Sequence, residues 1–227
     1  MARRRVNNPL ALAVLACLQE RPMHPYEISS TLRQRGKEAS IKLNYGSLYS
    51  VVEALARHGL ITARETSREG RRPERTVYEI TEAGTAEFED WLSELLSTPV
   101  REFSSLEAGL SLMPGLPPDD VVMLLNRRAY ALGAELGATD AMQAQAADEG
   151  IPELFLVEGR FRSATLRAEL DFVTDLTKRI QDGSYPGVKL WRRIHELRAD
   201  GVSFEEIAAD PVRHLGEEGR VLQQPNN

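Results

Sequence analysis

What this 227-residue sequence lacks already narrows its function. It has one cysteine, Cys17, so no intramolecular disulfide can form, which fits a reducing compartment. No apolar run approaches the roughly 20 residues needed to span a bilayer, which excludes an integral membrane protein. Met1-Ala-Arg-Arg-Arg and the apolar stretch Leu10 to Leu18 outline a signal region, but no small-residue cleavage site follows before Gln19-Glu20-Arg21-Pro22. The expectation is a cytoplasmic protein with a basic arm. The four histidines, His24, His58, His195 and His214, share no ligand spacing with Cys17 or with one another, so no metal is expected. There is no phosphate-cradling glycine loop, nucleophile elbow or metalloprotease signature. No catalytic set assembles and no cofactor is implied: the expectation is not an enzyme.

What is present is an uneven charge. The formal balance is −6, yet Met1 to Thr81 carries 14 Lys and Arg against 8 Asp and Glu, a local +6. Glu82 to Asn227 carries 14 against 26, a local −12. A basic third joined to an acidic remainder suggests one part that meets a polyanion and one with another task.

Three helices fit between Pro9 and Gly59. Pro9 suits a first turn, and Leu10, Val14, Leu15 and Leu18 form a stripe that ends at Arg21-Pro22. Pro25 can open a second helix carrying Tyr26, Ile28 and Leu32, closed by Gly36. A third starts near Asn44, a good N-cap, with Leu48, Val52 and Leu55 as its apolar positions, and stops at His58-Gly59. The period then changes. Leu60 to Thr66 and Arg75 to Thr81 read as strands around the polar, basic turn Ser67-Arg-Glu-Gly-Arg-Arg-Pro-Glu. Thr81 can cap a further helix whose apolar face is Phe88, Trp91, Leu92, Leu95 and Leu96, ended by Thr98-Pro99.

Three short helices followed by a basic-tipped hairpin form the pattern of a winged helix-turn-helix. A helix of this size fits the DNA major groove, roughly 12 Å wide, and its N-terminal residues can reach base edges. With Leu48, Val52 and Leu55 inward, Asn44, Ser47 and Ser50/Val51 turn outward, with Tyr49 on the flank. Gly46 leaves the first turn open to a phosphate, and Lys42 adds charge at that edge. Asn44 caps the helix whether or not it also touches DNA, and Tyr45 reads equally as a core side chain. Arg68, Arg71, Arg72 and Arg75 form either a phosphate-binding wing or a solvated turn; their place beside a groove-sized helix favours the wing. Arg3, Arg4 and Arg5 read as a solvated terminus before a DNA-binding arm.

The ordered segments Leu10-Ala-Leu-Ala-Val-Leu-Ala-Cys-Leu, Met23-His-Pro-Tyr-Glu-Ile, Gly46-Ser-Leu-Tyr-Ser-Val-Val-Glu-Ala-Leu-Ala-Arg-His-Gly-Leu-Ile and Gly70-Arg-Arg-Pro…Val77-Tyr-Glu-Ile-Thr-Glu-Ala-Gly resemble the PadR family of bacterial transcriptional regulators. The motif-bearing match covers about Asn8 to Leu96, and the remainder is similar to the helical C-terminal domain of the larger subgroup. Pro25 departs from the glycine usual in the family. The resemblance implies a homodimer on palindromic promoter DNA, a repressor released by a small-molecule effector or another signal. By position it implies that Tyr26, Asn44, Ser47, Tyr49 and Ser50 face DNA, with Arg71, Arg72 and Arg75 on the wing. The alternative is a ligand- or protein-binding module whose winged helix no longer engages DNA.

The expected fold is therefore mainly α: a winged-helix DNA-binding domain with a small β-hairpin wing over 1–98, then an all-helical dimerisation domain over 99–183. Residues 184–227 form an additional helical extension, its last ten residues a disordered tail. Helices are expected over Leu106 to Leu112, Asp119 to Ala147, the stretch from Leu154 to Ile180, around Val188 to Leu197, and around Phe204 to Ala208. The stripes of Leu125, Leu132, Leu166, Val173 and Ile180 read as dimer contacts, with burial inside one protomer as the alternative. Trp91 is a core residue or the wall of an apolar ligand cavity. Trp191 packs the extension back or lines a regulatory pocket, and Cys17 is a buried, unreactive thiol.

Overall fold

The computed structural model describes residues 6, 8–41, 45–67 and 75–222, and they form two compact units, 1–101 and 102–227.

In the first unit Asn8 caps α1 (Pro9–Glu20) by accepting the Leu10 N–H at 3.0 Å. The expected stripe understates α1: Leu10, Ala11, Ala13, Val14, Leu15, Cys17 and Leu18 are all buried. A helix apolar on most of its surface must be enclosed, and α1 packs against α2 (Pro25–Gln34), α3 (Tyr45–Arg57), strand β2 (Arg75–Ile80) and α4 (Glu82–Ser97). A single 3-10 turn, Lys37–Ala39, follows α2. Gly59, at φ 70°, ends α3 in a Schellman arrangement, with Leu60 N–H donating to Leu55 O at 3.0 Å and Gly59 N–H to Ala56 O at 3.0 Å.

Strand β1 (Ile61–Ser67) pairs antiparallel with β2, Ile61 opposite Ile80, through a bulge between Ala63 and Glu65. Met23, between α1 and α2, adds a third rung: its N–H and C=O each bond Tyr78 at 3.0 Å. Thr81 caps α4 as expected, its hydroxyl oxygen accepting Gly84 N–H at 3.0 Å while the hydroxyl turns to the carbonyls of Gly59 and Leu60. Only the first half of the expected apolar face of α4 is covered. Phe88 and Trp91 join the core, whereas Leu92, Leu95 and Leu96 are exposed.

In the second unit α5 (Ser105–Ser111) and a 3-10 turn, Met113–Gly115, precede a helical hairpin of α6 (Pro118–Asp148) and α7 (Val157–Gln181). Ion pairs Arg128–Glu169, Arg162–Glu135 and Arg167–Asp140 link the two helices in antiparallel sense. The extension forms α8 (Val188–Ala199), α9 (Phe204–Ala209), α10 (Pro211–Leu215) and a 3-10 helix, Gly216–Leu222. This corrects the expected tail: residues 218–222 are helical, and 223–227 lie outside the described residues.

Val188 and Trp191 of α8 close a core with Val121, Leu125, Val173, Leu176 and Ile180. Leu125, Val173 and Ile180 are thus buried within one protomer, the alternative reading of those stripes, while Leu132 is buried outside that core and Leu166 is half-buried. A third helix accounts for it, since it covers the apolar base that a bare hairpin leaves open. Trp191 packs the extension back: its indole N–H donates to Leu116 O at 2.8 Å, Arg192 pairs with Asp119 at 2.9 Å, and the His195 ring lies 2.9 Å from Pro114 O.

Candidate nucleic-acid interface

The third helix has two faces. Leu48, Val52 and Leu55 enter the core, and on the other side Gly46, Tyr49 and Ser50 are exposed. Val51 corrects the sequence expectation. It is 7 % exposed and belongs to the core, because the inward arc of α3 is wide enough to take Val51 and Val52 together. Tyr49, 45 % exposed, offers a phenol at the rim of the open face. The Ser50 hydroxyl donates to Gly46 O at 3.1 Å, leaving its oxygen lone pairs free to accept. Ser47 is half-buried and has a partner of its own.

Tyr26 lies on the first turn of α2, 61 % exposed. Of the remaining site residues, Lys42, Asn44, Arg71 and Arg72 lie outside the described residues, as do Arg68 and the arm Arg3 to Arg5. Arg75 opens β2 opposite Ser67; its side chain is outside them too. The structure therefore brings Ser47, Tyr49 and Ser50 together on one helix and holds Tyr26 at the start of the helix before it.

Sequence reasoning missed how the start of α2 is built. His24 is its N-cap: the ring Nδ1 accepts Tyr26 N–H at 3.1 Å, and Glu27 Oε2 accepts His24 N–H at 2.8 Å, completing a capping box. Arg21 reaches Glu27 at 3.4 Å. The His24 N–H, and then Arg21, hold the Glu27 carboxyl below its ordinary range. The signal was present in His24-Pro-Tyr-Glu27, a capping box with histidine in the place usually held by serine or threonine. At the opposite end of α2, Arg35 grips Glu20 of α1 with bonds of 2.5 and 2.8 Å, which lowers the Glu20 pKa and raises that of Arg35.

Trp91 takes the core position rather than a cavity wall: it is 4 % exposed within the cluster of α1 and α3. Cys17 is buried, and burial pushes its thiol pKa up, the condition of an inert thiol. Among the described residues no group of three His, Cys, Asp or Glu could hold a metal, and no helix is long and apolar enough to cross a membrane. The second unit has an open cleft of about 560 Å³ between α6 and α7, with Gln143, Arg160, Ser163, Arg167 and Asp171 on its walls. Gln143 donates to Ser163 Oγ at 2.8 Å, Arg167 is paired with Asp140, and Arg160 with Glu153.

The fold has solved relatives. Bacillus subtilis PadR in complex with operator DNA is 19 % identical, covering 74 % of this chain and 99 % of its own, with a TM-score of 0.56. A PadR-like transcriptional regulator from Bacillus cereus is 15 % identical, over 77 % of this chain and 99 % of its own, with a TM-score of 0.53. Bacillus subtilis PadR in complex with p-coumaric acid is 16 % identical, over 73 % and 98 %, with a TM-score of 0.51. At these identities the likeness is one of fold. No curated protein matches the chain. The sequence itself matches the model of the transcriptional regulator PadR-like family over residues 14–90, a span running from α1 into α4. The PadR-like match is thus to a domain, residues 14–90, and not to the whole chain.

Proposed function

We propose that this chain is a sequence-specific DNA-binding transcriptional regulator, a cytoplasmic homodimer that represses from promoter DNA until a small molecule or another signal releases it. The observation that carries the reading is the exposed face of α3 with Tyr49 and Ser50, backed by a buried face of four apolar side chains. A rigid groove-sized helix with small polar residues on its first turns can approach base edges closely. The +6 charge of the first 81 residues supplies the long-range attraction to phosphate. In this reading Asn44, Ser47 and Ser50 read bases, Tyr26, Tyr49 and Lys42 hold the backbone, and Arg71, Arg72 and Arg75 lie along the phosphates beside it. A solved PadR bound to operator DNA, with the same fold, supports the assignment.

Two half-sites about one turn apart, roughly 34 Å, require two copies. In our reading residues 1–98 bind DNA, the helices of 99–183 join the copies, and 184–227 is an extension. Because Leu125, Val173 and Ile180 are already buried, the joining surface is the exposed row of Met123 and Tyr130 on α6 with Phe161 and Phe172 on α7. The spacing of seven and of eleven residues keeps each pair on one side of its helix. A PadR solved with p-coumaric acid supports a small-molecule effector, whose site we do not place on Trp91.

The test is binding to duplexes selected from a randomised library, titrated at several salt concentrations. The affinity is expected to fall linearly on a log–log salt plot, by about 0.9 per phosphate contacted. No retained sequence and no mobility shift at low salt would favour instead a ligand- or protein-binding module that has lost DNA.

A further inference from the structure

We infer that His24 is a positioning residue for DNA recognition, whose neutral imidazole caps α2 and holds Tyr26 in place, and whose protonation releases it. The inference rests on the DNA reading above and adds a titratable element to it.

The geometry around Tyr26 is fixed from both sides. Upstream, Met23 is buried and locked to Tyr78 by two backbone bonds of 3.0 Å. Downstream, Pro25 and Ile28 are buried in the core. Tyr26 is exposed in this turn, as Glu27 is, and its backbone N–H is bound by the His24 ring at 3.1 Å. An imidazole nitrogen accepts only when it carries no proton, so this bond requires a bare Nδ1 and hence the neutral Nε2–H tautomer.

Protonation turns Nδ1 into a donor aimed at other donors, and it sets a positive charge at the positive end of the α2 dipole. Two charged groups with opposed effects lie near the ring, and His24 has a further interaction besides. Glu27 of α2 favours the cation, and Arg21, beyond the end of α1, opposes it while engaging the same carboxylate. Strand β2 meets this segment through the Tyr78 backbone. Glu27 already engages His24 N–H through Oε2 and Arg21 through Oε1. Asparagine, a better N-cap, would perform the same task without titrating.

The experiment titrates wild type, H24A and H24N, each also in a Y26A background, with a fluorescent duplex selected from a randomised library by the wild-type protein. Salt is held constant between pH 8 and 5.5, a range that spans imidazole protonation. At pH 8, H24A is expected to bind about fivefold more weakly, the scale of a lost cap, and H24N within about twofold of wild type. On acidification wild type should weaken about fivefold relative to H24N. In the Y26A background the three residues at position 24 should become equivalent, since the coupling runs through Tyr26. A wild-type to H24N ratio that does not move with pH would overturn the inference. So would an H24A cost that persists without Tyr26, or a wild type that gains on H24N in acid, which would make His24 a direct phosphate contact. No binding by wild type at low salt would overturn the DNA reading and this inference with it.

Discussion

The carbonyl of Leu60 occupies the space that a side chain at Gly84 would need. A Cβ added to Gly84 would collide with Leu60 O and come within 2.8 Å of Ile80 Cγ1. Both neighbours belong to the hairpin base, and the same Leu60 carbonyl accepts Thr81 N–H at 3.1 Å. In a solvated helix Gly→Ala is stabilising by up to about 1 kcal/mol. Here the collision is with backbone and outweighs that gain. Gly84→Ala should cost about 1–3 kcal/mol, the range of overpacking, read as a lowered urea midpoint of the first unit.

The two tryptophans report separately, since Trp91 lies in the core of the first unit and Trp191 in that of the second. Trp191→Phe keeps most of the apolar burial but removes the donor to Leu116 O. The expected loss is about 1–2 kcal/mol, seen by far-UV circular dichroism, while Trp91 fluorescence unfolds at its wild-type midpoint. An equal shift of the Trp91 signal would mean that the units unfold together.

The wing prediction concerns charge without sequence. Replacing Arg71 and Arg72 together by alanine should weaken binding to every duplex alike and reduce the salt slope by about two per subunit. Ser47→Ala should instead change the preferred sequence and leave that slope unchanged. An unchanged slope in the arginine variant would remove the wing from the interface.

For the proposed joining surface, the wild type should sediment as a dimer and Tyr130→Asp as a monomer with its helix content intact, because Tyr130 is 82 % exposed and supports no core. Val173→Asp, fully buried, should instead unfold the second unit.

Acid stability follows from Glu27 and Glu20, whose folded pKa values are both lowered, by the His24 N–H and by Arg35 respectively. A depressed carboxylate contributes stability above its unfolded pKa, near 4.5, and loses it as pH falls through the lower folded value. The first unit should therefore weaken below about pH 4.5. Glu27→Gln, which keeps an acceptor for His24 N–H but no charge, should flatten that acid slope by giving up at pH 7 the stability that the wild type loses only in acid. Thermal melts between pH 3 and 7 would measure it.

Local chemistry was legible in the sequence. Pro9, Pro25, Thr81 and the Gly59 stop were read from rules that depend on a few neighbouring residues, and the structure places helix ends at each. The hairpin was visible in the change of period from Leu60 to Ile80. His24 was passed over because cap preference favours short polar side chains, although Glu27 three residues on marked the box. The open face of α3 was recognised through Leu48, Val52 and Leu55; the inward turn of Val51 was not, since two adjacent residues separated by 100° can share one broad core-facing arc.

By itself, then, the sequence determined where the longer helices and both strands lie and which third of the chain carries positive charge, because these depend on neighbours along the backbone. Only the tertiary structure decided what each apolar stripe touches. Leu95 and Leu96 repeat as regularly as Leu125 and Val173, yet the first pair is exposed and the second buried. Periodicity defines a face, but burial requires a partner, and for the hairpin that partner is α8, whose Trp191 sits 75 residues from the carbonyl it holds.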